Sequence, residues 1–483
     1  MKALVVSHAH PTFSIGGAQV ASYNLFQGLK DQGWDAHYLA GVGPPVARHR
    51  ATPLMSLGQG PDETLFWSDD FDWFYLGSKD IGALTGHFER FLADCRPDVI
   101  NFHHAMGFGI QAIRAARRAL GNVPIVFTLH EYLMICQNHG QMIKARSGAL
   151  CSKASPSECG VCFPEIGPAN LMRRELFLKS FLAEVDAFVS PSRFLLGRFA
   201  DWGLPRAKLV MIENGLDGGE AAAPRPIAPG GKRNRFAFFG QLNPFKGIRV
   251  LVDAVTRIPA DVWGDAILYI YGGNLEHQPE EFQTAVKDLF RIAGRRLRFM
   301  GSYKSADLPA LMREVDWTIV PSTWWENAPV VIQESFFHRR PIITSDIGGM
   351  AEKVRHGIDG LHFRAGNDWK IPPYFRTPRC HQVTEAFKVI NGSFRYIEMT
   401  LMEVPFAERA WTASCRSAGD RAPTSPRRWP SSSTRRVAPR VPPTPIDPRC
   451  PMWRSPPRTA ARSTWPGSRC STSAPARPSS ATT

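Results

Sequence analysis

Short apolar runs alternate with stretches of helical period from the first residues of the chain. KALVVS at 2–7 reads as a buried strand. GGAQVASYNLFQGLKDQG follows, with Val20, Tyr23, Phe26 and Leu29 at helical spacing and Gly33 as a natural stop. WDAHYLA is the next strand, so these three segments make a βαβ unit with a parallel strand pair. DVINFHH, PIVFTLH, DAFVSPS and KLVMIEN continue the rhythm, with helical stretches such as IQAIRAARRAL between some of them. Strands alternating with helices in this way predict an α/β fold built on a doubly wound sheet.

The rhythm stops and restarts. GGEAAAPRPIAPGGKRNR, at 218–235, has no apolar period and is rich in Gly, Pro and Ala, which marks a linker. FAFFG, AILYIYGG, LRFMG, DWTIVPS, PIITS and LHF then alternate with helices again. The expectation is two α/β domains in tandem, at 1–215 and 236–370, joined by a linker at 216–235. Residues 371–483 are atypical. From Arg421 onward the chain has about twelve Arg, no Lys and one acid, Asp447, among Pro, Ser, Thr and Ala. Such a composition cannot bury a core and predicts disorder. It is also what GC-rich DNA yields when read out of frame, so a frameshifted terminus is the companion expectation. This segment carries much of the chain's net charge of +15, so the charge does not point to nucleic acid.

No apolar run approaches the ~20 residues needed to span a bilayer. The start, MKALVVSHAHP, lacks the longer apolar region of a signal peptide. The expectation is a cytoplasmic protein whose nine cysteines are reduced or bind metal. Cys136, Cys151, Cys159 and Cys162 are spaced C-x14-C-x7-C-x2-C in an excursion at 131–165. Four thiols with one C-x2-C knuckle suggest a structural zinc; unrelated thiols are the plainer reading.

WWENAPVVIQES, at 324–335, carries Glu326 and Glu334 on either side of Pro329. Proline is favoured in a first helical turn, which puts Glu326 in a loop and Glu334 in the second turn. Two carboxylates then flank a helix start whose unpaired N–H groups and dipole suit a phosphate. A capping glutamate with a surface glutamate is the structural alternative. GQLNPFKG at 240–247 places Lys246 at the carboxyl edge of the same sheet, and Gly348 and Gly349 of DIGGMAE allow close backbone approach there.

GGAQ near the start, ENGLD at 213–217, GQLNPFKG, PSTWWENAPVVIQES and GGMAEKVRHGIDGLHF together resemble the GT-B glycosyltransferases of family 4, over residues 1 to about 366. The resemblance implies two Rossmann-like domains facing across a cleft, an acceptor domain first and a nucleotide-sugar domain second. It implies a retaining transfer, usually without a required metal, from a UDP- or GDP-linked sugar to a glycan or lipid-linked acceptor. By the same resemblance Glu334 binds ribose hydroxyls, Glu326 contacts the donor hexose, and Lys246 neutralises the diphosphate. Asn327, Ala328 and Pro329 form the turn beside the phosphates. Gly16 and Gly17 form the first-domain loop near the diphosphate and acceptor. His130, in TLHEY, lies near the donor sugar, with Glu326 and Lys246 as the catalytic group. Gln241 stands where the family often has Arg, so a neutral donor replaces a charge.

His8, His10, His103 and His104 sit at expected strand ends, where packing and cleft roles both remain open. The basic helix IQAIRAARRAL offers peripheral contact with the inner membrane face, or a solvated surface. The first βα turn has GG rather than G-x-G-x-x-G, which argues against an NAD oxidoreductase. An epimerase or phosphorylase of the same fold remains, as does an inactive homologue that binds without turnover. The last reading arises because GT-B enzymes return a final helix to the first domain, which the sequence beyond Trp369 does not clearly supply.

Overall fold

Ala3, Leu4, Val5 and Val6 are all buried in the first strand, so both of its faces are covered. A continuous apolar run requires that, and a parallel sheet with helices on both sides supplies it. The structure, a computed structural model, describes residues 1–365 apart from Ile15, Pro45, Gln59, Asp69, Asp217 and Gly218. The tail expected at 371–483 lies outside the described residues.

The first domain runs β1 (Lys2–Ser7), α1 (Gly17–Asp31), β2 (Asp35–Val42), β3 (Leu54–Ser56), β4 (Glu63–Trp67), β5 (Phe71–Asp72) and β6 (Gly77–Ser78). It continues through α2 (Glu89–Cys95), β7 (Val99–Phe102), α3 (Gln111–Leu120), β8 (Ile125–Thr128), α4 (Pro156–Cys162) and α5 (Gly167–Leu182). It closes with β9 (Ala187–Ser190), α6 (Arg193–Trp202) and β10 (Leu209–Met211). The main sheet has the order β10-β9-β8-β7-β1-β2-β4-β3. All its pairs are parallel except β3 with β4. Because β1 pairs with both β2 and β7, the winding reverses beside β1, and such a switch point opens a crevice at the strands' carboxyl ends. The strands β3 to β6 were not expected. β3, β5 and β6 have only three, two and two residues, and β4, with five, lies in a segment interrupted by Gly, Pro and Asp residues.

The second domain runs β11 (Arg235–Phe239), α7 (Ile248–Arg257), α8 (Ala260–Trp263), β12 (Ile267–Tyr271), α9 (Glu280–Ala293) and β13 (Leu297–Gly301). It continues through α10 (Leu308–Arg313), β14 (Trp317–Val320), α11 (Val330–Phe337), β15 (Ile342–Ser345), α12 (Gly348–Lys353) and β16 (Gly360–Phe363). The sheet order is β13-β12-β11-β14-β15-β16, parallel throughout. Here the switch falls between β11 and β14. The loops leaving those two strands are QLNPFKG and PSTWWENAP. Each domain has its own apolar core, around Val6, Ile100 and Phe127 in the first and Phe238, Ile270 and Ile319 in the second.

The segment at 216–235 and the basic helix are both held by specific contacts. The segment read as a linker is docked along the second domain. Ala222 is buried and its N–H donates to His338 Nδ1 at 2.9 Å, while Arg225 pairs with Asp316 at 2.7 Å. Its few contacts are polar and specific, so no apolar period announces them. The basic helix α3 has its charges matched by neighbouring acids. Arg114, Arg117 and Arg118 are ion-paired with Glu184, Asp186 and Glu89 at 2.5, 2.7 and 2.5 Å. Among the described residues no helix is long and apolar enough to cross a membrane.

Candidate functional site

After β11 the chain makes a tight turn at Pro244–Lys246. The Asn243 side chain caps it, accepting from the N–H groups of Phe245 and Lys246 at 3.0 Å each. Gly247 follows with φ 73°, and a Cβ built there would lie 1.8 Å from the carbonyl oxygen of Pro321. The loops after β11 and β14 are therefore joined backbone to backbone, and Thr323 N–H donates to Phe245 O at 2.8 Å. This contact sets Lys246 beside Glu326. Lys246 Nζ donates to Glu326 Oε1 at 2.6 Å, and Ser322 Oγ donates to the same oxygen at 2.7 Å. Burial pushes the Glu326 carboxyl pKa up, but the Lys246 charge and the hydrogen bonds from Lys246 and Ser322 outweigh it. The group ends below its ordinary value. Glu326 is thus a fixed carboxylate with one oxygen already engaged. Gln241 is exposed at the entrance of the same turn.

The close approach allowed by Gly348 and Gly349 is made to the protein's own loop. Gly349 N–H donates to Glu326 O at 2.8 Å, and a Cβ at Gly349 would lie 1.4 Å from Asn327 O. Pro329 takes the N-cap position with extended ψ 119°, one place before the first turn where it was expected, and α11 starts at Val330. Ala328 is half-buried in the turn between. Glu334 follows in the second turn, as its spacing implied. No described residue hydrogen-bonds its carboxylate, and burial raises its pKa from 4.5 to about 7. A carboxyl whose folded pKa is raised contributes stability that is fully present below pH 4.5 and is lost as the pH rises through about 7. Glu334→Gln is expected to flatten this part of the stability profile, measured as denaturation midpoints across that window.

The first domain closes the site from the other side. Gly16 caps α1 and Gly17 opens it. A Cβ at Gly17 would lie 3.9 Å from Val330 Cγ2, so the Gly-Gly loop faces the start of α11. Asn327 was expected in the turn beside a phosphate. Its side chain instead bridges the domains, accepting from Ser192 Oγ at 2.5 Å and donating to His130 O at 3.1 Å. The His130 ring stacks on His103, with Nε2 to Nδ1 at 2.9 Å. Burial, with the neighbouring His103, His104 and His8, holds its pKa well below 6.5, so the ring is neutral. His104 lies 3.2 Å from a Glu131 oxygen. His10, by contrast, pairs with Glu63 at 2.8 Å.

The expected zinc set is not assembled. Cys136, Cys151, Cys159 and Cys162 are free thiols, and among the described residues no three His, Cys, Asp or Glu side chains form a group able to hold a metal ion. Cys151 Sγ is spent as a donor to Lys153 O at 3.3 Å. Burial raises the Cys136 thiol to about 11 and also raises Cys159.

Several interface residues were missed. Glu352 of α12 accepts from the N–H groups of Arg193 and Phe194, both at 2.8 Å, and so caps the start of α6 in the other domain. Glu213 of ENGLD pairs with Lys353 at 2.9 Å, and Gln333 donates to Asn214 O at 3.0 Å. Ser192 caps the start of α6, but its second partner, Asn327, lies 135 residues away and leaves no local signal.

A family model described as Glycosyltransferase Family 4 matches residues 15–218, and one described as Glycosyl transferases group 1 matches residues 233–371. A glycogen synthase of Mycobacterium tuberculosis is 24% identical over 376 residues, covering 75% of this chain and 82% of that protein. A D-inositol 3-phosphate glycosyltransferase of Nocardia farcinica is 27% identical over 209 residues, covering 41% of this chain and 46% of that protein. Among solved structures, sucrose-phosphate synthase from Thermosynechococcus elongatus superposes with a TM-score of 0.59 at 15% identity, over 86% of this chain and 97% of that one. Anabaena HepE in complex with UDP and glucose does so with a TM-score of 0.56 at 16% identity, over 86% and 98%. At these identities the structural likeness shows the fold.

Proposed function

The chain belongs to the group 1 glycosyltransferases and has the GT-B fold, and from that premise we propose that it moves a sugar from a UDP- or GDP-linked donor to a glycan or lipid-linked acceptor, in the cytoplasm, with retention of anomeric configuration. One observation carries the reading: Lys246 and Glu326 meet in the loops before α11, whose start faces the Gly16–Gly17 loop and whose second turn carries the buried Glu334. The donor nucleotide is supported by the solved complexes of HepE with UDP and with UDP-glucose.

The chemistry assigned to each group follows from its environment. Breaking the sugar–phosphate bond builds negative charge on the departing nucleoside diphosphate. The Lys246 ammonium, partly exposed, keeps donors beyond the one given to Glu326, and the first-turn amides of α11 add partial positive charge. Gln241 contributes hydrogen bonds without charge. Glu326, ionised, has a second oxygen for hexose hydroxyls. Glu334 accepts from the ribose hydroxyls, which requires its carboxylate form. Nucleotide affinity should therefore rise as the pH rises through about 7, and Glu334→Gln should bind more weakly with a flat profile. Titration calorimetry with UDP and with GDP from pH 6 to about 8 reads this directly.

The reading is tested by measuring nucleotide release from a panel of UDP- and GDP-sugars, with proton NMR of the product's anomeric centre. Release from one donor and a retained anomer are expected. Binding without turnover across the panel would favour the inactive alternative, and an inverted product would overturn retention.

A further inference from the structure

The loop that carries Glu326 sends its neighbouring side chains in opposite directions. Glu326 turns back to Lys246 in its own domain, while Trp325 and Asn327 reach into the first domain. A tight turn centred on Trp325, in which Glu326 N–H donates to Trp324 O at 2.9 Å, separates these directions. Trp325 makes the more extensive contact. Its indole N–H donates to Cys151 O at 2.9 Å, 174 residues away in sequence. Its ring lies 5.1 Å from that of Phe194, and the Arg198 guanidinium sits 5.0 Å from its centroid. Arg198 also donates to Ser152 O, so one arginine ties the excursion, α6 and Trp325 together. Trp325 packs against the core of the first domain although it belongs to the second.

We propose that Trp325 is a positioning residue for sugar transfer: seated in the Cys151–Ser152 turn of the first-domain excursion and held by Arg198 and Phe194, it clamps the domains together and sets Glu326 and Asn327 in register with the first-domain side of the cleft. This rests on the donor-site reading given above. It also assigns a role to the excursion that does not involve metal. The turn after Met142 presents a backbone carbonyl to the partner domain, and a cysteine thiol is not needed for that. A transfer site split across two domains works only while the halves are in register, and an error of about 1 Å there costs on the order of a hundredfold in rate. The ribose and phosphate contacts assigned to Glu334, Lys246 and the first turn of α11 all lie in the second domain, with only the Gly16–Gly17 loop added from the first, so nucleotide affinity should depend on the clamp far less than transfer does.

The interface contains its own reporters. The N–H groups of Arg193 and Phe194 have no intrahelical acceptors and are held by Glu352 of the other domain. Their hydrogen exchange therefore tracks domain separation without any ligand. In the full-length, ligand-free protein, Trp325→Ala is expected to speed exchange at residues 193–194 by at least tenfold, leaving the β1 and β11 amides protected. Trp325→Phe keeps the ring and loses only the N–H, so it should fall between. With the best donor from the sugar panel, Trp325→Ala should lower kcat roughly 30- to 100-fold while the Kd for UDP or GDP stays within about threefold. Trp325→Phe should lower kcat about fivefold, the worth of one neutral hydrogen bond.

Unchanged exchange at 193–194 in Trp325→Ala would overturn the clamp whether or not any nucleotide binds. A parallel loss of nucleotide affinity would also overturn it, because Trp325 would then belong to the donor pocket itself. If wild-type protein bound neither nucleotide, the donor-site reading would fail, while the exchange measurement would still decide the clamp.

Discussion

Lys246→Ala is expected to lower sugar transfer by about two to three orders of magnitude, the usual consequence of removing a donor aimed at charge that develops in the transition state. The substitution also strands a neighbour. Glu326 is buried, and its carboxylate would keep Ser322 Oγ but lose the ammonium 2.6 Å away. Leaving a buried charge without its partner costs about 2 kcal/mol or more. The two effects separate in a cycle. In Lys246→Ala with Glu326→Gln the stranded charge is gone, so stability should largely return while transfer stays low. The pH profile offers a second view. The depressed Glu326 pKa contributes stability that is present above pH 4.5 and is lost as the pH falls through the lower folded value. Without Lys246 that contribution should shrink, because only the hydrogen bonds from Ser322 and Trp324 then oppose burial. Full transfer in the single variant, or a double variant as unstable as Lys246→Ala, would count against this assignment.

The second large effect is steric. Gly247→Ala should destabilise the protein by about 4 kcal/mol, and so lower its unfolding midpoint by roughly 10 °C. Two penalties combine. Alanine at φ 73° is strained, and its Cβ would lie 1.8 Å from the Pro321 carbonyl oxygen, a backbone atom that no rotamer change can move. Relief requires separating the loops after β11 and β14, which also parts Lys246 from Glu326, so activity should fall with stability. Gly28 is the control. It lies inside α1 with nothing within 4 Å of a built Cβ, and Gly28→Ala should stabilise by about 0.5–1 kcal/mol. Equal midpoints for the two variants would show that the loop contact is not as close as described.

Both effects concern residues that were readable as motifs, while their partners were not. The strand–helix alternation revealed nearly every strand of the two main sheets, because a strand covered on both faces must be continuously apolar and that leaves a mark in local sequence. The split of WWENAPVVIQES was also legible, because Pro329 restricts the backbone on either side of itself. The strands β3 and β4 were not: β3 has three residues, and β4 opens on Glu63 and Thr64 in a segment broken by Gly, Pro and Asp. The zinc expectation shows the limit of spacing. Four cysteines in a plausible order are a statement about sequence distance, whereas a ligand set needs their sulfurs to converge, and among the described residues no such group is assembled.

Local order in this chain follows from local causes: apolar period, glycine at positive φ, proline before a helix. These establish two α/β domains and place Lys246, Glu326, Glu334 and the paired glycines at strand ends. What those residues meet depends on contacts between segments far apart in sequence. Lys246 meets Glu326 across 80 residues, Asn327 meets His130 across 197, and Trp325 meets Cys151 across 174. Such pairings carry no periodicity and no local backbone preference. The first arises once the second domain's sheet brings the loops after β11 and β14 together; the other two arise only when both sheets have formed and their carboxyl edges approach, since the energy that selects them is that of burying and satisfying polar groups at a surface neither domain possesses alone.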